Sequence, residues 1–95
     1  MFRKNKDLAK YAVEFVGTLF FISVILLSKG NALMVGLALA VAILFGGKIS
    51  GGHFNPAVSF TMFMKKNITM RQLMFYVLAQ ALGGFTSIRV VKMLA

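Results

Sequence analysis

Carboxylate and imidazole chemistry in this 95-residue chain rests on three side chains, Asp7, Glu14 and His53, and there is no cysteine. That set leaves little for acid–base, metal or nucleophilic catalysis. An enzyme is not expected, nor a metal, a cofactor or a disulfide. What the polar residues can do is hydrogen-bond inside apolar surroundings. They concentrate in Ser50-Gly51-Gly52-His53-Phe54-Asn55-Pro56-Ala57-Val58, the least hydrophobic stretch of the chain, with Glu14 and Gln80 isolated in apolar runs on either side.

Asn55-Pro56 has the chemistry of a helix start. Asn at the N-cap satisfies a backbone N–H with its side chain, and Pro at the first helical position loses nothing by lacking its own. Gly51 and Gly52 let the backbone run close to a neighbour. In water this would be an ordinary capped helix. At membrane depth, non-helical backbone is tolerated only where protein buries it or where it lines a water-filled cavity. There the helix start points its positive dipole end into the cavity. Cations and protons would be repelled, and a neutral hydrogen-bonding solute would pass, with the Asn55 amide as a donor.

The composition supplies the membrane. Hydrophobic residues make up 59% of the chain and mean hydropathy is +0.83, too apolar for a water-surrounded domain of this size. The first apolar run, after a basic start, exceeds a signal-peptide core and lacks a small-residue cleavage pattern at Ser28-Lys29-Gly30-Asn31. It is read as a retained spanning helix, about 8–28. Glu14 lies within it. Two readings stand: a functional or structural network inside the membrane, or an interfacial pair with Lys10 one turn away. A second span covers about 32–49, with small residues in two stripes, Ala32-Gly36-Ala40 and Ala38-Ala42-Gly46. Such stripes predict close helix packing on two sides. Residues 50–65 hold the polar stretch and a short apolar segment. Pro56 to Met64 would extend roughly 14 Å as a helix, about half of the ~30 Å hydrocarbon core, so it enters and returns. Thr69 and Gln72 have capping-box spacing, and a third span follows at about 70–92, with Gln80 in mid-membrane and a small face at Ala79 and Gly83. Without tryptophan, an interfacial belt falls to Tyr11, Tyr76 and the phenylalanines.

Net charge is +9. The basic residues sit at the ends of apolar runs, which suits lipid headgroups and topology rather than nucleic acid, for which no fingerprint is present. With three spans, one side of the membrane collects Arg3, Lys4, Lys6, Lys10, Lys48, Lys65, Lys66 and Arg71. The other has Lys29, Arg89 and Lys92. The charge bias places the amino terminus and the re-entrant loop in the cytoplasm, as in a plasma or inner membrane protein.

His53-Phe-Asn-Pro-Ala-Val58, preceded by Ile49-Ser-Gly-Gly52, resembles the first signature loop of the aquaporin, or major intrinsic protein, family. Ala12-Val-Glu-Phe-Val-Gly-Thr18 resembles the family's first helix, and Tyr76-Val-Leu-Ala-Gln-Ala-Leu-Gly-Gly84 its third. The resemblance implies an all-α membrane fold, three transmembrane helices plus one re-entrant half-helix, forming half of a right-handed bundle across residues 1–95. It implies that Asn55, Pro56 and Ala57 are one of two Asn-Pro-Ala boxes. By the same likeness the carbonyls around Gly51, Gly52 and His53 line the pore, and Glu14 and Gln80 brace the loop. His53 read alone would be a structural histidine; the motif places it beside the pore.

Two departures matter. The helix-two position of the family's aromatic/arginine filter falls on Val35, which predicts a wider or less polar constriction than a strict water channel has. The family also carries six spans and two boxes related by an inverted repeat, with the filter arginine after the second box. Here Val58 follows the one box present. The expectation is a passive channel half for water or small neutral solutes in a lipid bilayer. It would need a second aquaporin-like half, from a partner chain or an inverted copy, to close a pore. The charge bias disfavours the inverted copy. The alternatives are a small cationic holin-like lesion former, whose basic ends fit but which has no need of the ordered signature, and a non-conducting fragment that only associates with full-length relatives.

Overall fold

Long apolar runs broken by short polar turns give four helices among the described residues: α1 (Phe2–Leu27), α2 (Ala32–Ser50), α3 (Pro56–Met64) and α4 (Met70–Leu94). The computed structural model describes the backbone of residues 2–95 and the side chains from residue 6 onward. Arg3 and Lys4 therefore lie outside the described side chains. No strand occurs among the described residues. Lys6–Leu27, Ala32–Ser50 and Met70–Leu94 are long and apolar enough to cross a membrane. At 1.5 Å per residue they extend roughly 28 to 38 Å against a ~30 Å core. The fold is thus all-α, with three spanning helices and one short one.

Helix ends differ from the sequence reading for local reasons. α1 starts before residue 8 because Arg and Lys carry good helix propensity beyond the apolar run; there Lys10 pairs with Asp7 at 3.7 Å. Between α1 and α2 the chain reverses through Lys29 and Gly30 at positive φ, and Asn31 caps α2 by accepting from Met34 N–H at 3.0 Å. The capping box at Thr69 and Gln72 starts α4. The Gln72 amide also donates to Asp7 at 3.1 Å, tying the start of α4 to α1.

α1 lies between the other two spans: it packs on α2 and on α4, and α3 packs on α4. Small residues set how closely. On α2, Ala38, Ala42, Gly46 and Ser50 are buried, and a Cβ added at Gly46 would lie 2.6 Å from Val13 Cγ1. On α4, a Cβ at Gly83 would lie 2.7 Å from the Phe15 carbonyl oxygen and 3.1 Å from Leu19 N, so here the two backbones touch. Tyr76, Ala79, Gln80, Gly83 and Ser87 form the buried face of α4, the helical spacing of one stripe. The second stripe of α2 corrects the sequence expectation of close packing on two sides. Ala32, Gly36 and Ala40 are exposed, and nothing lies within 4 Å of a Cβ built on Gly36, because among the described residues α1 is the only spanning helix beside α2.

The outside of this assembly is apolar and the inside polar. Leu33, Leu44, Phe45 and Met93 are exposed while Glu14, Ser59, Gln80 and Ser87 are buried. That inversion suits hydrocarbon as solvent, where an apolar exterior costs nothing and every polar group needs an internal partner. The protein is an integral membrane protein.

Candidate functional site

The loop between α2 and α3 turns inward because its backbone takes conformations few residues allow. Gly51 caps α2 with φ of 91° and its N–H on the Gly47 carbonyl at 2.9 Å; Gly52 follows at φ of 66°. The left-handed region costs glycine nothing. Phe54, also left-handed at φ of 51°, has no such freedom, and a non-glycine residue there costs on the order of 1–3 kcal/mol. Its ring offsets that cost. It is 3% exposed and fills the slot left by missing side chains on α1 and α2. A Cβ on Gly17 would lie 2.6 Å from Phe54 Cζ, and one on Gly46 3.3 Å from the same atom.

Glu14 holds the loop from α1. It is fully buried. Its Oε2 accepts from the Ser50 hydroxyl at 2.8 Å and from His53 N–H at 3.0 Å. Its Oε1 accepts from Phe54 N–H at 2.7 Å and from the Gln80 amide at 3.0 Å. A carboxylate has about four acceptor positions, and here four donors from α2, the loop and α4 occupy them. The Lys10 alternative is not what the fold uses, since Lys10 pairs with Asp7. Because a carboxylate cannot donate, the Gln80 atom facing Glu14 must be the amide nitrogen. That same nitrogen donates to Ser59 Oγ at 2.8 Å. Ser59 Oγ lies 2.8 Å from His53 Nδ1. The Ser59 hydroxyl thus accepts from Gln80 and shares a hydrogen bond with Nδ1 whose direction follows the imidazole tautomer. The Tyr76 hydroxyl completes the frame, donating to the Ser50 carbonyl at 2.7 Å, while its ring lies 4.6 Å from the His53 ring.

Asn55 caps α3: its Oδ1 accepts from Ala57 N–H at 2.7 Å, and Pro56 holds the first helical position. With Oδ1 so engaged, the amide nitrogen remains as donor. Asn55, Pro56, Ala57 and Gly51 are exposed, Gly52 half-buried. Among the described residues, the carbonyls of Gly51, Gly52 and His53 accept no hydrogen bond, unlike those of Ser50 and Asn55. The stretch thus carries an amide donor, a helix start and a short run of carbonyls with no internal partner. It can pass hydrogen bonds to a neutral solute and offers no charge to an ion.

The fold brings Glu14, Gln80, His53 and the loop backbone together. The His53 imidazole is 8% exposed and joined to Ser59 and Tyr76, so its open acceptor is the backbone carbonyl. Val35 is half-buried near the start of α2, roughly 22 Å along the helix axis from Ser50, and is not part of this cluster. Ser50 and Phe54 lay in the stretch singled out from sequence but had no role assigned, and Tyr76, expected in an interfacial belt, is instead buried; Ser59 and Gly17 take part without having been singled out. Ser59 carried a signal, one of two hydroxyls with Thr61 in a short apolar helix, but nothing local gave it a partner.

With this geometry in view, comparisons with known proteins are informative. The profile of the family described as Major intrinsic protein matches residues 1–95. The chain is 38% identical to "Glycerol uptake facilitator protein-like 6" of Lactiplantibacillus plantarum, over 87% of this chain and 42% of that protein. It is 39% identical to "Aquaporin TIP1-2" of Zea mays, over 93% of this chain and 42% of that one. To "Aquaglyceroporin-2" of Rhizophagus irregularis it is 34% identical, over 95% and 32% respectively. The chain therefore spans less than half the length of these relatives. No solved structure matches it.

Proposed function

The chain belongs to the major intrinsic protein family, and from that premise we propose that it forms one wall of a passive channel for water or small neutral solutes. The observation that carries the reading is the Asn55 cap: its oxygen is fixed on Ala57 N–H at 2.7 Å, and its amide nitrogen remains as donor at the exposed start of α3. Gly51, Gly52 and His53 supply carbonyl acceptors that lead a solute toward it. Glu14 and Gln80 hold this line in place. The helix start disfavours cations and protons at the same point. Val35, in the position of a filter aromatic, makes the constriction wide enough for a small polyol beside water. The printed names of the relatives include both aquaporins and a glycerol facilitator.

These residues wall one side. An opposing half carrying its own Asn-Pro-Ala box and an arginine closes the pore, and the basic bias toward one end favours a separate half over an inverted copy. Proteoliposomes holding these 95 residues alone should show water and glycerol flux near that of empty liposomes in stopped-flow scattering. Addition of the opposing half should raise it, and Asn55→Trp should abolish the rise. Strong flux from the chain alone that Asn55→Trp abolishes would overturn the need for a second half. Release of a large dye would instead favour a lesion former.

The amino terminus and the α3–α4 turn face the cytoplasm in this reading. The chain has no cysteine, so single introduced thiols report cleanly. A membrane-impermeant reagent added outside intact cells should label Lys29→Cys and spare Lys66→Cys. The reverse pattern would refute the orientation.

A further inference from the structure

A groove of about 780 Å³ runs between α1 and α4 on the outer face. Its mouth carries Asp7 and Arg71, and its walls include Tyr11, Phe15, Leu78 and Leu82. Leu78 and Leu82 are about half exposed, so the walls are open to whatever surrounds the protein. The groove ends deliberately: at Gly83 the two backbones come into contact. From Arg71 to Leu82 the helix rises roughly 16 Å, close to one leaflet of a ~30 Å core. A spanning helix seated here would need a seam along both leaflets, and the groove offers one.

The mouth is basic. Arg71 lies over the Phe75 ring, 5.8 Å from its centroid. The chain's only carboxylate side chains are Asp7 and Glu14, and Glu14 is buried. Asp7 faces the mouth, but its Oδ1 is already engaged by the Gln72 amide at 3.1 Å and by Lys10 at 3.7 Å. Arg71 has no carboxylate within ion-pair distance among the described residues, and exposed Lys6 adds to the positive balance of this end. A guanidinium above a leaflet-deep apolar groove fits a phosphate joined to an acyl chain.

We propose that this groove is a site for an anionic phospholipid of the leaflet at the amino-terminal end, its phosphate on Arg71 and one acyl chain between α1 and α4. The site does not depend on the channel reading, only on membrane insertion. Native mass spectrometry of the chain in neutral detergent, with equimolar palmitoyl-oleoyl phosphatidylglycerol and phosphatidylcholine, tests it. Phosphatidylglycerol should be retained about fivefold over phosphatidylcholine, the ratio that roughly 1 kcal/mol per basic residue at an anionic surface implies. Arg71→Ala should erase that preference and Arg71→Lys keep most of it. Leu82→Trp, which fills the groove, should reduce retention of both lipids, and Lys92→Ala at the far end should change nothing. Helix content by circular dichroism separates these effects from misfolding. Three results would overturn the proposal: preference unchanged in folded Arg71→Ala, glycerol 1-phosphate retained as well as the diacyl lipid, or a dimer cross-linked through Leu78→Cys that excludes lipid.

Discussion

Glu14→Ala should be the most damaging single substitution in the chain, lowering stability by about 3–5 kcal/mol, because it strips the acceptor from several buried donors at once. The side chain accepts four hydrogen bonds, two from the loop backbone at His53 and Phe54 and two from Ser50 and Gln80. Each buried donor left unpaired costs about 1–3 kcal/mol. The total stays below their sum because the loop relaxes and water enters. Glu14→Gln separates acceptance from size. The amide keeps one accepting oxygen, so it should serve about half of the donors and cost roughly half as much. Thermal unfolding in detergent, followed by circular dichroism, should rank wild type above Glu14→Gln above Glu14→Ala. Equal losses in the two variants would mean that packing, and not hydrogen-bond acceptance, is what Glu14 provides. The same order should appear in solute flux once the opposing half is present, because the donors that lose their acceptor belong to the loop.

Residue pattern alone could place Glu14 inside a helix but not choose its partner; only the family resemblance assigned it, with Gln80, to bracing the loop. Lys10 is one turn away, and helical spacing makes that pair visible. Gln80 and His53 lie 66 and 39 positions along the chain, and no local pattern links them to Glu14. The features that could be read were those whose hydrogen bonds close within a few residues. Asn55 reaches Ala57 and Thr69 reaches Gln72, so residue types two or three apart declare them. Span lengths were legible for the same reason, being sums over consecutive residues.

What stayed hidden depends on where a second element lies. Both small stripes of α2 look alike in sequence, and only the position of α1 decides that Ala38, Ala42 and Gly46 are buried and Gly36 is not. In sequence, Gly17 is one more small residue of a spanning helix. Phe54 read as an apolar neighbour of the Asn-Pro-Ala box. That the two form a ring and its slot required the loop to be folded back against α1.

That pairing yields the sharpest test of how the loop is held, because it predicts a reversal of sign. Phe54→Ala should cost about 3–5 kcal/mol, the range for emptying a buried aromatic site, with some recovery because Ala tolerates the left-handed φ of 51° no better than Phe and the loop is freed to relax. Gly17→Ala in the native background should also destabilise, by about 1–3 kcal/mol through overpacking, since the new methyl would lie 2.6 Å from Phe54 Cζ and closer still to Cε1. The ring cannot swing away, being held at its backbone by the bond from Phe54 N–H to Glu14 at 2.7 Å and walled by Gly46 on α2. Once Phe54 is Ala, the clash is gone. Gly17→Ala then adds a methyl to a vacant slot and replaces glycine by a better helix former, worth up to about 1 kcal/mol. The double variant should therefore melt above Phe54→Ala alone, although each single variant melts below wild type. The two positions are in contact, which is where additivity is expected to fail. Additive losses would show that Phe54 does not occupy the Gly17 slot in the membrane, and that the polar contacts of Glu14, Gln80 and Tyr76 hold the loop without it.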